Sequence, residues 1–303
     1  MTALLTVVAL LAFAANSILC RVALQPGAID PASFTAARLL SGAIALAIIA
    51  RGFHRGSRGG SHAGSHAGSW TSAFLLFLYA LPFSLAYVSL GVATGALILF
   101  FSVQATMLLG AVLSGERIHW LEINGIAIAL AGLAHLMKPG LSAPRPGGAA
   151  LMALAGLAWG LYSLRGRRST DPVGDTASNF ARSAPMALLA FAVAAPIGQL
   201  HLSTRGLLLA SASGILASGA GYAAWFAALP KLNSLQAAAL QLTVPLIAAV
   251  GGIVLLGEEP TRRLVLSSLF ILGGVGLAIA GRAIRARNVA RREASPTRVR
   301  EKP

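Results

Sequence analysis

Arg38 and Arg182 stand 144 positions apart, each in a stretch otherwise free of charge, from Pro31 to Ala50 and from Thr176 to Thr204. A guanidinium in an apolar segment needs a counter-charge or water, because unsatisfied polarity in hydrocarbon is costly. Two chemistries are open to such a pair: contact with a substrate carboxylate, or ion pairing with Asp30, Asp171 or Asp175 as gates. Snorkelling of the long side chains toward headgroups is a third reading. Asn16, with Trp159 and Tyr162, forms a second group, since Asn16 superimposes on Gly160 at the same offset of 144. Tyr87, Gln104, Tyr222, Trp225, Gln236 and Gln241 form a third. Uncharged amides and aromatic rings suit a cavity for a zwitterion or an amphiphilic metabolite, although Tyr87 and Tyr222 also fit as anchors in an interfacial aromatic belt. The candidate cavity set is therefore Asn16, Arg38, Gln104, Trp159, Tyr162, Arg182, Tyr222, Trp225, Gln236 and Gln241.

What is missing narrows the chemistry further. No Asp or Glu falls deep within an apolar run, Glu122 standing only at the mouth of one, so the buried carboxylate relay of many proton-coupled carriers is absent. The chain shows no nucleophile–base pair, no metal-ligand cluster and no phosphate-cradling glycine motif. His62 and His66 have the i, i+4 spacing of a metal pair, but the glycines around them argue against the helix that would align them. No catalytic residue, metal or cofactor is expected.

The elements that must position these residues are membrane helices. Of 303 residues 56% are hydrophobic and 11% charged, against roughly 45–50% and 25% in soluble domains. No charge occurs between Arg58 and Glu116. The run from Trp70 to Ser114 would be ~68 Å long as one helix, against a hydrocarbon core of ~30 Å, so it must fold back near Ser89-Leu90-Gly91. The same reading along the chain gives ten spans: Ala3–Cys20, Ala32–Ala50, Trp70–Ser89, Val92–Leu113, Leu121–Leu136, Gly148–Leu164, Asn179–Ile197, Leu207–Leu229, Leu232–Leu256 and Leu264–Ala280. The first lacks a basic region before it and aligns with the sixth, so it reads as a mature helix rather than a signal peptide.

The spans form two copies of one pattern about 142 positions apart. Ala86–Leu90, Gly115-Glu116 and Ala131-Gly132-Leu133 recur as Ala228–Leu232, Gly257-Glu258 and Gly273-Gly274-Val275. Five spans per copy is an odd number, so the second copy enters the membrane from the opposite side and the repeat is inverted. The fold class is all-α integral membrane, ten transmembrane helices in two inverted five-helix repeats. The expected units are 1–140, with a flexible Gly/Ser/His linker at 52–69, then 146–281, and a basic tail at 282–303. With the N-terminus inside, inner segments hold Arg51, Arg55, Arg58, Arg117, Arg165, Arg167, Arg168, Lys231 and the tail, whereas outer ones hold Arg21, Lys138, Arg145, Arg205, Arg262 and Arg263. The bias puts both termini in the cytoplasm and the protein in a plasma (inner) membrane. The net charge of +15 then belongs to loops and tail facing anionic lipids rather than to nucleic acid.

Ala86 to Leu133, with Ala86-Tyr-Val-Ser-Leu-Gly-Val-Ala-Thr-Gly-Ala, Leu113-Ser-Gly-Glu-Arg-Ile and Gly125-Ile-Ala-Ile-Ala-Leu-Ala-Gly-Leu, resembles the EamA-type repeat of the drug/metabolite transporter superfamily. The second half echoes it with Tyr222-Ala-Ala-Trp225, Ala237-Ala-Ala-Leu-Gln241-Leu-Thr-Val-Pro245 and Leu256-Gly-Glu258. The resemblance implies alternating-access movement of small metabolites, often amino-acid export, through a cavity between two bundles. One departure is that Val103 stands where the second copy has Pro245, so a helix break there would occur in one half only. The partners expected are a small-molecule substrate and anionic lipids, with a homodimer left open. A carrier of larger or anionic solutes, such as nucleotide-sugars or lipid-linked groups, would need more basic residues converging on the cavity. A non-transport scaffold or sensor would work through the linker and the tail. Gly115-Glu116 and Gly257-Glu258 read as helix ends, and Ala131-Gly132, Gly251-Gly252 and Gly273-Gly274 as close helix packing.

Overall fold

The computed structural model describes residues 2–24, 28–56, 68–113, 115, 119–138, 143–166, 169–197, 200–228, 231–232 and 240–293. Its helices are α1 (Thr2–Ala23), α2 (Pro31–Gly56), α3 (Trp70–Tyr87), α4 (Val92–Leu113), α5 (Trp120–Met137), α6 (Pro146–Gly166), α7 (Pro172–Ala194), α8 (Thr204–Ala212), α9 (Gly221–Ala228), α10 (Thr243–Leu256) and α11 (Arg262–Glu293). Ser213–Ala220, between α8 and α9, is a π-helical segment that makes α8 and α9 one continuous span. Among the described residues, eight helical spans are long and apolar enough to cross a membrane, α8, the π segment and α9 counting as one of them. The other two expected spans are α7, whose N-terminal half carries Asp175, Asn179 and Arg182, and α10, whose described part is a 14-residue apolar helix. The hairpin turn falls at residues 88–91, where the length of the uncharged run requires it.

Polar side chains mark the helix starts. Asp30 accepts from the amides of Ala32 and Ser33 ahead of α2, Ser69 from Ser72 ahead of α3, Asp171 from Gly174 ahead of α7, and Ser203 from Gly206 ahead of α8. His119 and Glu122 form a reciprocal capping box on α5. Gly257 ends α10 at φ 67°, a conformation that favours glycine, and the Glu258 amide returns to Gly252 O at 3.1 Å. Pro245 lies in the first turn of α10, whereas α4 runs unbroken through Val103, which is the one-sided difference the sequence predicts.

The packing repeats itself when the halves are exchanged. α2 packs on α7, α4 on α10 and α5 on α11, each helix against its own counterpart. Three further contacts come in matched pairs: α3 on α6 with α1 on α9, α4 on α6 with α1 on α10, and α3 on α7 with α2 on α8. That is a pseudo-twofold relation, and five crossings per half make its partners run in opposite directions through the membrane. The α5–α11 crossing shows the symmetry at atomic scale. A Cβ at Gly125 would fall 2.4 Å from Gly274 O, and one at Gly274 would fall 2.4 Å from Gly125 O. Both glycines are required by backbone contact, a Cβ at Gly132 would fall 2.7 Å from the Phe270 Cβ, and Gly273 faces open space.

The basic tail does not begin as a separate segment. α11 continues to Glu293, so its 32 residues extend ~48 Å, well beyond a ~30 Å core. Within the extension Arg285 Nε lies 3.1 Å and Arg282 Nε 3.7 Å from the buried Glu122 carboxylate, which ties the extension to the start of α5. Two arginines assigned to lipid headgroups are therefore engaged inside the protein. The linker histidines His62 and His66, and Glu116, lie outside the described residues.

Candidate substrate cavity

A central cavity lies where α1, α3, α4, α6, the π segment with α9, and the residues leading into α10 converge. Its wall includes Phe13, Asn16, Ser17, Tyr79, Phe83, Leu99, Phe100, Val103, Trp159, Ala217, Tyr222 and Gln241, and it leaves about 30 Å³ open to the centre of a water molecule. A water needs roughly 10–15 Å³ of such space, so the cavity as folded holds about two waters and must widen to admit a solute. Both repeats contribute to the wall, as a site at a repeat interface requires.

Trp159 is the centre of the aromatic part. Its ring lies 4.9 Å from Tyr79, 5.2 Å from Tyr222 and 5.4 Å from Tyr162, the last stacked at 28°. Phe13 closes the far side, edge-on to Tyr222 at 5.7 Å and to Trp225 at 5.9 Å. Rings in these offset and edge-on arrangements hold one another at fixed angles, which gives the cavity stiff walls.

The polar part is a connected chain of side chains from four spans. Ser213 Oγ donates to Asn16 Oδ1 at 2.7 Å, Asn16 Nδ2 donates to the Tyr79 hydroxyl at 3.1 Å, and Arg38 Nη2 donates to the same hydroxyl at 3.1 Å. Arg38 Nε then donates to Ser218 Oγ at 3.1 Å. The guanidinium also lies over the rings of Tyr79 and Phe83, at 5.2 and 5.3 Å. Arg38 is 1% exposed, and its Nη1 has no hydrogen-bond partner. Tyr79 and Ser218 both sit near the middle of their spans, so the side chain reaches toward mid-membrane depth and does not snorkel. Asp30 is not its partner. That carboxylate caps α2 and accepts from the His201 amide at 3.1 Å.

Of the candidates named from sequence, Asn16, Trp159, Tyr222 and Gln241 line the cavity. Arg38 lies one side chain behind the wall, and Tyr162 behind Trp159, where it accepts from Asn179 Nδ2 at 3.4 Å. Gln104 and Trp225 are buried in the surrounding packing. Arg182 lies apart from the cavity, half-buried with its guanidinium 6.0 Å over Trp70, so the two arginines of the repeat have diverged in environment. Gln236 falls outside the described residues. Sequence reasoning missed Tyr79, Phe13, Phe83, Ser213 and Ser218. For Tyr79 a signal existed: it stands 143 positions before Tyr222, close to the repeat offset, at the tenth of 18 residues in α3, which is too deep for a belt anchor.

Both ends of the bundle are tied by loop contacts at equivalent places. On the side of the α1–α2 loop, Ile29 pairs with Leu202 in an antiparallel bridge, with Asp30 N to His201 O at 3.0 Å and Ser203 N to Ala28 O at 2.9 Å. At the other end, Gly68 N donates to Asp175 Oδ1 at 2.8 Å and Ser69 N to Asn179 Oδ1 at 2.9 Å. The acidic residues expected to pair with arginines therefore hold backbone amides instead. The α3–α4 turn is clasped by both charges: Arg21 donates to Tyr87 O at 2.8 Å, and Glu258 accepts from the Val92 amide at 2.8 and 2.9 Å. A cation on the end of α3 and an anion on the start of α4 are each favoured by the helix dipole.

The family model described as the EamA-like transporter family matches residues 1–137 and 146–280. An uncharacterized protein of Pseudomonas aeruginosa is 50% identical over 285 residues, 94% of this chain and 96% of its own. A protein of Salmonella typhimurium named a probable amino-acid metabolite efflux pump is 26% identical over 65% of this chain and 71% of its own. A solved crystal structure covers 97% of this chain and 99% of its own with a TM-score of 0.61 at 21% identity, which shows a shared fold.

Proposed function

Because the chain belongs to the EamA-like transporter family, we propose that it exports small metabolites, amino acids or related compounds, by alternating access through the cavity between its repeats. The observation that carries this reading is a cavity with stiff aromatic walls and a buried polar network, lying between two pseudo-symmetric halves whose ends are tied by equivalent contacts. Rocking one half against the other would open one set of end contacts while the other stays closed. The name of the Salmonella relative supports the choice of amino-acid metabolites and of the outward direction. The excess of basic residues in one set of loops supports an inner-membrane protein with both termini in the cytoplasm.

A nucleotide-sugar carrier is less well supported, because Arg38 is the one arginine beside the cavity among the described residues, Arg182 lying against Trp70. Export is tested in cells preloaded with a panel of labelled amino acids. Cells expressing the protein should release a subset of the panel faster than cells expressing Arg38→Ala, and equal release rates for every member overturn the proposal.

A further inference from the structure

The Tyr79 hydroxyl is where the polar network meets the cavity. A neutral phenol has one proton to donate and two lone pairs with which to accept. Arg38 Nη2 and Asn16 Nδ2 both donate to it at 3.1 Å, so both acceptor positions are taken and what remains is the proton, for which a solute competes with the neighbouring Tyr222 hydroxyl. The two donors are themselves held. Asn16 Oδ1 accepts from Ser213, and Arg38 Nε is fixed on Ser218.

The π segment is what makes this possible. Ser213 and Ser218 are five positions apart, which in an α-helix separates side chains by about 140° beyond a full turn. Hydrogen bonding from i to i+5 brings residues five apart nearly over one another, so one short segment presents both serines to the network. Donors prevail around Tyr79. The indole N–H of Trp159 can only donate, and the unpartnered Nη1 of Arg38 is a charged donor. No carboxylate lines the cavity among the described residues, whereas Ser17 and Gln241 offer acceptors elsewhere on its wall.

We propose that Tyr79 is the specificity-determining residue of the cavity: made a hydrogen-bond donor by Arg38 and Asn16, it selects solutes that present a carboxylate and rejects amines that lack one. The inference rests on the transport reading of the same site, and its test separates the two.

Binding is read by thermal shift on the purified full-length chain in lipid nanodiscs, with three probes of one carbon skeleton. Leucine carries both groups, 4-methylpentanoate lacks the amine, and 3-methylbutylamine lacks the carboxylate. Both acids should bind saturably, with the amine weaker by about tenfold or more, and Tyr79→Phe should weaken 4-methylpentanoate by about tenfold, the size of one charge-assisted hydrogen bond. If Tyr79→Phe fails to fold, Asn16→Asp serves instead: a carboxylate at that position accepts the Tyr79 proton, and acid affinity should fall by a similar factor. An amine bound as tightly as the acids, no binding of either acid, or unchanged acid affinity in the folded variant overturns the inference. Leucine flux in liposomes from the same preparation separates the readings: acid preference without flux overturns transport alone, and flux without acid preference overturns this inference alone.

Discussion

At the scale of single residues, Arg38 carries the most informative conflict between stability and use. A guanidinium buried at mid-membrane depth, with one nitrogen unpartnered, is costly to desolvate, and its hydrogen-bond partners Tyr79 and Ser218 are uncharged, so its removal leaves no buried charge behind. Arg38→Met should therefore leave the melting temperature within about 3 °C of the parent, or raise it, while lowering flux by at least about tenfold. A melting temperature lower by about 10 °C, with flux lost in proportion, would make Arg38 a structural residue instead. The sequence could reveal Arg38 because a lone charge in an apolar run is conspicuous. It concealed Tyr79, whose type is common in membranes and whose role comes from two donors on other helices. Arg182 looked equivalent because it stands 144 positions on, as Gly160 does from Asn16, yet side-chain surroundings need not follow backbone symmetry, and the position 144 on from Trp70 is Gly214, which offers Arg38 no ring.

At the scale of elements, the sequence revealed helices well and their ends less well. Apolar runs limited by bilayer thickness gave ten spans and the turn at 88–91, because hydrocarbon leaves few other ways to satisfy a backbone. It did not show the π segment, the start of α7 at Pro172, or the run of α11 to Glu293, since those depend on contacts with other helices. The clasp on the α3–α4 turn gives a test at this scale. Loss of a capping carboxylate typically costs ~1 kcal/mol, so Glu258→Ala should weaken closure at that end about fivefold, whereas Glu258→Gln keeps an acceptor for the Val92 amide. In a Cys20→Ser background, a Ser17→Cys probe in the cavity wall should react faster with a hydrophilic maleimide after Glu258→Ala, and no faster after Glu258→Gln. Equal labelling in all three proteins would show that the clasp does not close the cavity. At the α5–α11 crossing, Gly274→Leu should prevent accumulation of folded protein, because even a Cβ there meets backbone at 2.4 Å; normal yield would show that the helices can separate at little cost.

At the scale of the whole molecule, two five-helix halves around one cavity favour a carrier that rocks, and among the described residues the acids within them, the exposed Glu259 aside, are already engaged. Asp30, Asp171 and Asp175 hold helix-start or linker amides, Glu122 faces Arg282 and Arg285, and Glu258 caps α4. With those carboxylates committed to structure, flux should follow the solute's own gradient, and an imposed pH gradient should change its initial rate by less than about twofold. The repeat and the membrane helices were legible because duplication and apolar runs are written along the chain. The identity of the solute was not, because the cavity is assembled from side chains more than 200 positions apart. The most direct measurement is counterflow in proteoliposomes of the purified chain, preloaded with an unlabelled amino acid and given a labelled trace of the same compound outside, across neutral, anionic and aromatic members. Saturable, transient accumulation of the label for a subset, reduced at least tenfold by Arg38→Met, is the expected result. No accumulation for any member, from a protein that is folded in the membrane, would contradict the assignment of this cavity to amino-acid-like metabolites.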